Sequence, residues 1–303
     1  MLRVWLGLLA TMLCCAQAIG QSAAQSPDKQ FIVFDGTLYQ KKPDLRAAGL
    51  EPIYIAYEGS LFRERDRALR EPGAMPDPDL MGKELFAARA AGSRLVVIDI
   101  EVWSVARSDR FPKQVPEAIA RFQETVTLAR RLAPDLDIGL FSPLPVHSGY
   151  ERYLPIGSDL QRQMVIDNDK LVGLASMVDA IFPIGYTYST DRTEWERAIG
   201  QSVSEARRLR KDAPVYVFIW PQYADYGPVP KELHRQWLPA DYWRYQLDTM
   251  YESADGVVIW GGWNNEQGGR RKWDDEAAWW QATREFIRDK GLTRRPKAPV
   301  LNR

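Results

Sequence analysis

Seven short apolar runs, separated by longer stretches of helical character, limit most strongly what this chain can fold into. The runs occupy residues 31–35, 52–57, 95–101, 137–142, 180–186, 215–220 and 256–261. Each is nearly continuous in hydrophobicity, which is typical of strands covered on both faces in a parallel sheet. The stretches between them predict helices at 79–92, 116–133, 159–177, 192–211, 239–253 and 274–290.

The alternation of strand and helix predicts repeated βαβ units. About seven such units suit a closed barrel better than an open doubly wound sheet, because no glycine-rich first turn marks a dinucleotide crevice. We therefore predict an α/β fold, a distorted TIM-like β/α barrel with about seven parallel strands. It is expected to be a single domain over 31–291, followed by an unpacked tail at 292–303 that is rich in Arg and Pro.

The first residues have the order of a secretory signal, with one early Arg, an apolar stretch of about ten residues and an Ala-Gln-Ala ending. We predict a signal peptide at 1–18, a polar leader at 19–30 and a secreted or periplasmic protein. No stable membrane insertion is expected after cleavage, and an uncleaved anchor is the alternative. Cys14 and Cys15 are the only cysteines and lie in this segment, so the mature protein is expected to contain no disulfide.

The composition argues against several classes of function. The chain has 40 basic residues (Lys and Arg) and 40 acidic residues (Asp and Glu), so it has no net positive charge that would favour binding to nucleic acid. No nucleic-acid partner is therefore expected. His147 and His234 are the only histidines, so a zinc site or a Ser-His-Asp triad has very little material to draw on. No Walker-type phosphate loop is present. We predict no metal and no cofactor, which leaves carboxylates and aromatic rings as the chemical groups available.

Asp99 and Glu101 stand two residues apart at the end of the third apolar run. Strand side chains alternate between faces, so these carboxylates are expected to point the same way, about 7 Å apart along the strand. Carboxylates are costly at the end of a hydrophobic strand unless they perform chemistry. Trp103, of the same parity, is expected to form a flat wall beside them. The alternative is structural, with Asp99 capping the next loop and Glu101 paired with an arginine.

Polar and aromatic residues also gather at the carboxyl ends of the other runs, where barrels of this type place their active sites. Aromatic faces with a few carboxylates suit a sugar, because a pyranose has apolar faces and a rim of hydroxyl groups. A glycan-binding cleft is therefore predicted, with a polysaccharide as the partner. The predicted substrate-binding residues are Tyr186, Trp260, Trp103, Asp35, Tyr57, Tyr223 and Trp220.

Cleavage of a glycosidic bond requires an acid for the leaving oxygen and a group that stabilises the oxocarbenium ion, and two carboxyl groups can supply both. Two close carboxylates raise each other's pKa, so one of them is expected to keep its proton near neutral pH. Glu101, nearer the mouth of the cleft and longer, is predicted to be the acid. Asp99 is predicted to be the orienting or charge-stabilising partner.

Four motifs follow one another in order: Asp-x-Glu-x-Trp in 97–103, Pro-x-x-Tyr in 182–186, Pro-Val-Tyr-Val-Phe at 214–218 and Gly-Val-Val-Ile-Trp-Gly at 256–261. Together they resemble the hyaluronidase family of glycoside hydrolases, which have a distorted seven-stranded β/α barrel. The resemblance implies that Glu101 is the acid/base and that Asp99 orients the acetamido group of the substrate, whose carbonyl attacks the anomeric carbon. It also implies that Tyr186 and Trp260 belong to the pocket for that sugar.

The chain departs from this family at three points. Residues 139–141 read Gly-Leu-Phe where the family usually has Gly-Tyr-Tyr, so Tyr150 or Tyr188 would have to supply the missing hydroxyl. Ser104 and Val105 replace an Arg-Pro pair, and the family's disulfides are absent. These differences bear on the identity of the polysaccharide more than on the type of reaction.

The predicted function is a secreted glycoside hydrolase that cleaves a polysaccharide containing N-acetylhexosamine by substrate-assisted retaining acid/base catalysis. Two alternatives remain open. One is a non-catalytic barrel that binds glycan. The other is a barrel glycosidase with a classical two-carboxylate mechanism, in which Asp99 or Glu101 acts with a distant partner such as Glu58, Asp35 or Glu266.

Overall fold

Parallel strands alternate with helices along the chain, of which a computed structural model describes residues 30–63, 74–106, 115–146, 149–153, 157–263 and 269–293. The strands are β1 (Ile32–Thr37), β2 (Glu51–Pro52), β3 (Tyr54–Tyr57), β4 (Leu95–Asp99), β5 (Asp137–Leu140), β6 (Tyr216–Ile219) and β7 (Gly256–Gly261). The helices are α1 (Glu58–Leu61), α2 (Pro78–Ala90), α3 (Val115–Leu132), α4 (Asp159–Asp169), α5 (Val172–Ala175), α6 (Arg192–Leu209), α7 (Ala240–Ser253) and α8 (Ala278–Asp289). Short 3₁₀ turns lie at Leu45–Ala48, Tyr150–Tyr153 and Lys231–Leu233.

The strands close into one barrel from two hydrogen-bonded sheets. One sheet has the order β2-β1-β7-β6 and the other β3-β4-β5, with parallel pairing throughout. Only Ile53 separates β2 from β3, so a single extended segment pairs first with β1 and then with β4. On the other side, parallel bridges from Phe182 to Phe141 and from Ile184 to Phe218 join β5 to β6. The prediction of a distorted TIM-like barrel is confirmed.

The apolar run at 180–186 forms isolated bridges instead of the regular strand that its composition predicts. Pro183 has no N–H to donate, although its carbonyl oxygen accepts a hydrogen bond from Phe218 N at 2.9 Å. Gly185 N then donates to Phe218 O at 2.7 Å. The segment still closes the barrel, but with an interrupted ladder.

Side-chain parity separates the interior of the barrel from the layer beneath the helices. On β1, Phe34 belongs to the inner apolar cluster, whereas Val33 belongs to the outer cluster that packs against the helices. On β4, Val97 is inner and Ile98 is outer. Both faces are covered, which explains the near-continuous apolar runs. The same parity decides which side chains at the strand ends reach the interior.

Several helices begin where the sequence predicts. Asp77 and Asp191 cap α2 and α6, because their carboxylates accept hydrogen bonds from backbone N–H groups of the first turn. The predicted helix at 159–177 is divided into α4 and α5. Within the described ranges, no helix is both long enough and apolar enough to cross a bilayer. The predicted signal peptide at 1–18, the leader up to residue 29 and the tail from residue 294 lie outside the described residues.

Candidate active site

A cavity of about 1050 Å³ opens at the carboxyl ends of the strands. Six of the described residues that line it lie at strand ends, and their positions along the strands point them into the barrel. They are Tyr57, Asp99, Phe141, Tyr186, Trp220 and Trp260. Below them, apolar side chains such as Ile184 and Phe218 fill the barrel. Barrels of this kind pack their interior and leave the carboxyl ends of the strands for binding and chemistry, so this cavity is the candidate site.

Asp99 is the last residue of β4 and shares the inward parity of Val97. Only 8 % of its surface is exposed, and its Oδ1 has no hydrogen-bond partner among the described residues. Burial raises the pKa of Asp99 to about 8, with further contributions from the negative charges of Glu101 and Glu58. The protonated form of the Asp99 carboxyl group is therefore favoured at neutral pH.

Glu101 follows the strand instead of belonging to it, because β4 ends two residues earlier than its apolar run predicts. Its side chain is exposed in the cavity, and its backbone N–H donates to Glu58 Oε2 at 3.2 Å. Partial burial by the cavity walls, and then the charge of Glu58, raise the pKa of Glu101 above its ordinary value. Asp99, Glu101 and Glu58 thus line one cavity. The raised pKa values of Asp99 and Glu101 suit proton exchange with a bound molecule.

Three aromatic rings form a cluster beside these carboxyl groups. The ring centroid of Tyr186 lies 5.8 Å from that of Trp220 and 5.8 Å from that of Trp260, and the two indoles are 5.2 Å apart. Trp260 Nε1 donates to Tyr57 Oη at 3.1 Å. Burial raises the pKa of Tyr57 to about 12 and that of Tyr186 well above its ordinary value, so both phenols are neutral at neutral pH.

Asp35 and Tyr223 are not among the residues that line the described cavity. Asp35 has the outward parity of Val33 on β1, and its carboxylate is held by Lys42 Nζ at 2.7 Å and by Thr37 Oγ1 at 2.6 Å. Tyr223 is buried in the outer cluster beneath the helices. Neither side chain therefore lines the described cavity, because Asp35 has the outward parity on its strand and Tyr223 lies in the loop after β6, where strand parity does not apply.

Trp103 borders the cavity but is only 7 % exposed. Its ring packs edge to face on Phe122 at 5.2 Å and on Phe62 at 6.1 Å, and the Arg121 guanidinium lies 5.7 Å from its centroid. The parity that predicts a wall beside Asp99 does not continue past the end of β4. Trp103 is therefore held mainly in the outer core, at the back of the site.

The lining includes four ionisable side chains to which the sequence reasoning gives no role: Glu151, Asp225, Tyr226 and Arg235. They lie in the 3₁₀ turn Tyr150–Tyr153 and in the loop that follows β6, where no strand or helix period marks a direction. Asp225 and Arg235 form an ion pair at 2.6 Å. Within the described ranges, no group of three or more His, Cys, Asp or Glu side chains is arranged to hold a metal ion.

Phe141 occupies the position where the resemblance leads us to expect a tyrosine. It is 7 % exposed, borders the cavity and packs edge to face on Phe218 at 4.9 Å. Tyr188, one of the two suggested replacements, is buried and donates a hydrogen bond to Tyr226 Oη at 2.5 Å. The side chain of Tyr150 is outside what the structure describes.

Two solved structures with a similar fold are crystal structures of bee venom hyaluronidase. One has a TM-score of 0.53 and 16 % identity, and the match covers 88 % of this chain and 100 % of that chain. The other, a complex with a hyaluronic acid tetramer, has a TM-score of 0.54 and 17 % identity, covering 88 % and 99 % of the two chains. No family model and no curated protein matches the sequence. At these identities the likeness shows the fold, a TIM-type β/α barrel.

Proposed function

We propose that this chain is a glycoside hydrolase that cleaves a polysaccharide containing N-acetylhexosamine, by substrate-assisted catalysis with retention of configuration. The observation that carries the proposal is that Asp99 and Glu101 face one cavity at the carboxyl ends of the strands, beside an aromatic cluster suited to a sugar ring. The barrel likeness to bee venom hyaluronidase supports the same class of enzyme.

In the first step, Glu101 donates its proton to the leaving glycosidic oxygen. The acetamido carbonyl oxygen of the substrate bonds to the anomeric carbon as the bond from that carbon to the leaving oxygen breaks, which yields a cyclic oxazolinium ion. In the second step, the Glu101 carboxylate takes a proton from water, the water oxygen bonds to the anomeric carbon, and the ring opens to restore the acetamido group. Two displacements at one carbon retain its configuration.

Asp99 has the environment of an orienting group more than that of a nucleophile. It is buried and protonated at neutral pH, and its Oδ1 has no partner in the described part of the chain. An amide N–H brought against this carboxyl favours its ionised form, since a hydrogen bond to a carboxylate lowers its pKa. The proton that Asp99 loses is then available to Glu101, which needs it for the first step.

The aromatic cluster of Tyr186, Trp220 and Trp260 is proposed as the floor and wall for the sugar that carries the acetamido group. Tyr57, fixed by the Trp260 N–H, presents its phenol to the same space. Among the alternative second carboxylates, Asp35 is held by Lys42 away from the cavity, and Glu266 lies outside the described residues.

Of the two alternative partners that the structure describes, Glu58 borders the cavity, and one of its oxygens accepts a hydrogen bond from the Glu101 N–H. A mechanism with Glu58 as second catalytic carboxylate needs no acetamido group on the substrate. The two mechanisms are therefore separated by the choice of substrate.

The test uses the purified protein with polysaccharides that contain N-acetylhexosamine and with the same polymers after chemical de-N-acetylation. New reducing ends and product masses are measured, and ¹H NMR follows the configuration of the first product. We expect cleavage of the acetylated polymer only, with a product of retained configuration. Equal cleavage of both polymers, or an inverted product, contradicts substrate assistance. Binding without cleavage of any polymer favours the non-catalytic barrel.

The chain is also proposed to be exported, on the strength of the signal-like order of residues 1–18. The mass of the protein recovered from the culture medium or the periplasm tests this, because cleavage after the Ala-Gln-Ala ending leaves Ile19 as the first residue. Recovery of the uncleaved chain from the membrane fraction favours an anchor.

A further inference from the structure

Ser142, the second residue after β5, has a backbone conformation that side chains rarely adopt. Its φ is 78°, in the left-handed region, although a residue that precedes a proline favours an extended φ of about −120°. In the described part of the chain, Lys41 and Arg235 are the other non-glycine residues with positive φ. Ser142 and Arg235 line the cavity, and Lys41 does not. Strained residues often mark functional sites, so we ask what Ser142 does there.

The left-handed turn brings Ser142 to the cavity. Leu140 at the end of β5 belongs to the outer cluster, and Phe141, the next residue, belongs to the inner one. In a continued strand, residue 142 would point outward with Leu140, because strand side chains alternate between faces. The chain turns at Ser142 instead, and this residue borders the cavity. The strained turn thus exposes to a substrate a residue that regular alternation would bury.

The segment that follows β5 holds this turn in place. Phe141 and residues 143–146 are buried, whereas Ser142 between them is half-buried. The buried side chain of Asn168 accepts a hydrogen bond from Val146 N at 2.9 Å and donates one to Val146 O at 3.3 Å. Such packing keeps a strained residue in its conformation. A group held in this way also loses little conformational entropy when it binds a ligand.

The register of the sheet places this turn beside Asp99. Leu140 pairs with Ile98, and Phe141 N donates to Ile98 O at 3.0 Å. The residues after β5 therefore run alongside the end of β4, at the spacing of about 4.8 Å that separates neighbouring strands. Within the described part of the chain, the Ser142 hydroxyl makes no hydrogen bond. A serine hydroxyl can both donate and accept, which suits the hydroxyl groups of a sugar.

We infer that Ser142 is a substrate-binding residue, whose hydroxyl forms a hydrogen bond with a hydroxyl group of the sugar that lies beside Asp99. The inference rests on the proposed function, which assigns the acetamido group of that sugar to Asp99, and adds a contact from the turn after β5. The left-handed backbone lowers the stability of the fold, whereas the hydroxyl that it presents binds the substrate. These two effects can be measured separately.

Two pairs of variants separate the hydroxyl from the backbone strain. Ser142→Ala removes the hydroxyl and keeps a side chain in the left-handed conformation, whereas Ser142→Gly removes both the hydroxyl and the strain. Lys41→Ala and Lys41→Gly are the matched control, because Lys41 has a φ of 58° but is exposed and does not line the cavity. Melting temperatures of all four variants are measured, together with kcat and KM on the polysaccharide that the wild type cleaves.

We expect each glycine variant to melt about 2 °C above its alanine partner, because glycine adopts a positive φ without strain. Both Ser142 variants are expected to raise KM about fivefold, the loss of one hydrogen bond between neutral groups, with a smaller change in kcat. Both Lys41 variants should keep the wild-type kinetics. A purely structural role for Ser142 would leave the KM of the stable Ser142→Gly protein unchanged, and that result overturns the inference.

A binding experiment separates this inference from the proposed function. Calorimetry measures the affinity for tetrasaccharides, released by acid from the acetylated polymers, of Glu101→Gln and of Glu101→Gln combined with Ser142→Ala. We expect the second protein to bind about fivefold more weakly. Equal affinities of the two proteins overturn the inference and leave the proposed function standing. A wild-type protein that neither cleaves nor binds these glycans overturns both.

Discussion

The Trp260 indole N–H donates a hydrogen bond of 3.1 Å to the Tyr57 hydroxyl, and this bond joins the ends of β7 and β3 across β1. Both side chains have the inward parity, and the residue of β1 in register with Trp260 is Gly36. A Cβ at Gly36 would lie 2.8 Å from Val258 Cγ1, so the interior has no room for a side chain there. The glycine leaves the two aromatic rings free to meet above the packed core.

Replacing Trp260 by alanine is expected to raise KM about tenfold, because the sugar loses an aromatic face and Tyr57 loses the donor that fixes its phenol. Tyr57→Phe, which keeps the ring, is expected to have a smaller effect. Trp237→Ala is the control, since this indole is 41 % exposed and is not among the lining residues. Steady-state kinetics on the cleaved polysaccharide measure all three, and an unchanged KM in Trp260→Ala contradicts the proposed sugar pocket.

The buried proton of Asp99 makes a prediction about stability. The folded pKa of about 8 lies above the ordinary carboxyl value near 4, so the unfolded chain gives up this proton at lower pH than the folded one. This difference lowers the free energy of unfolding. The loss is absent below the pKa of the unfolded chain, grows by up to about 1.4 kcal/mol per pH unit between the two pKa values, and is constant above the pKa of the folded protein. Stability contributed by this group therefore falls as pH rises through that window.

Asp99→Asn is expected to remove this dependence, because the amide does not titrate. Urea unfolding of the wild type and the variant at several pH values between about 4 and about 8 measures it. The difference in unfolding free energy between the two proteins should move in favour of the variant as pH rises. A constant difference across the range means that Asp99 does not hold a buried proton.

The same pair of carboxyl groups sets the expected pH profile of activity. Above about pH 8 the Asp99 and Glu101 pair loses the proton it shares, so kcat/KM should fall on the alkaline side. In Asp99→Asn a negative charge is missing beside Glu101, which lowers the pKa of the acid and moves the alkaline midpoint to lower pH. Initial rates across the pH range give both midpoints, and a variant whose midpoint stays in place argues against shared protonation.

Asp35 provides a test of which carboxylates at strand ends take part in the activity. Its carboxylate bridges Lys42 and Thr37 on the outer face of β1, so Asp35→Ala should cost about 2 kcal/mol of stability through the lost charged hydrogen bonds. The kcat/KM of the folded variant should equal that of the wild type. A large loss of activity in a fully folded Asp35→Ala protein would return this residue to the site.

The barrel was predictable from sequence because its strands are buried on both faces and therefore appear as apolar runs at regular spacing. That same burial hides the parity of each run, since inner and outer residues are both apolar. Asp35 and Asp99 look alike as acidic residues at the ends of such runs, yet one faces Lys42 and the other faces the cavity. The two carboxylates at positions 99 and 101 and the aromatic residues at other strand ends, such as Tyr186 and Trp260, were the sequence features that indicated the lining of the cavity.

The loops account for the rest of what the sequence did not show. Tyr226 lies in a loop that is held by the ion pair of Asp225 with Arg235 and by the hydrogen bond from Ala224 N to Thr187 O. These contacts join residues that are separated in sequence, and no periodic pattern predicts them. Pro183 breaks the ladder of the fifth apolar run although the run keeps its place in the barrel. In loops, such tertiary contacts determine where side chains point, because the local sequence has no periodic pattern that would predict it.

The most direct test of the central claim compares wild type, Glu101→Gln and Glu285→Gln for the rate at which they release reducing ends from an N-acetylhexosamine polysaccharide. Glu285 lies exposed on α8, far along the chain from the site, and controls for the loss of one carboxylate. The amide at position 101 keeps the shape of the side chain but has no acid proton to give, so its rate should fall about 10²- to 10⁴-fold while Glu285→Gln matches the wild type. A Glu101→Gln protein that retains the wild-type rate contradicts the account.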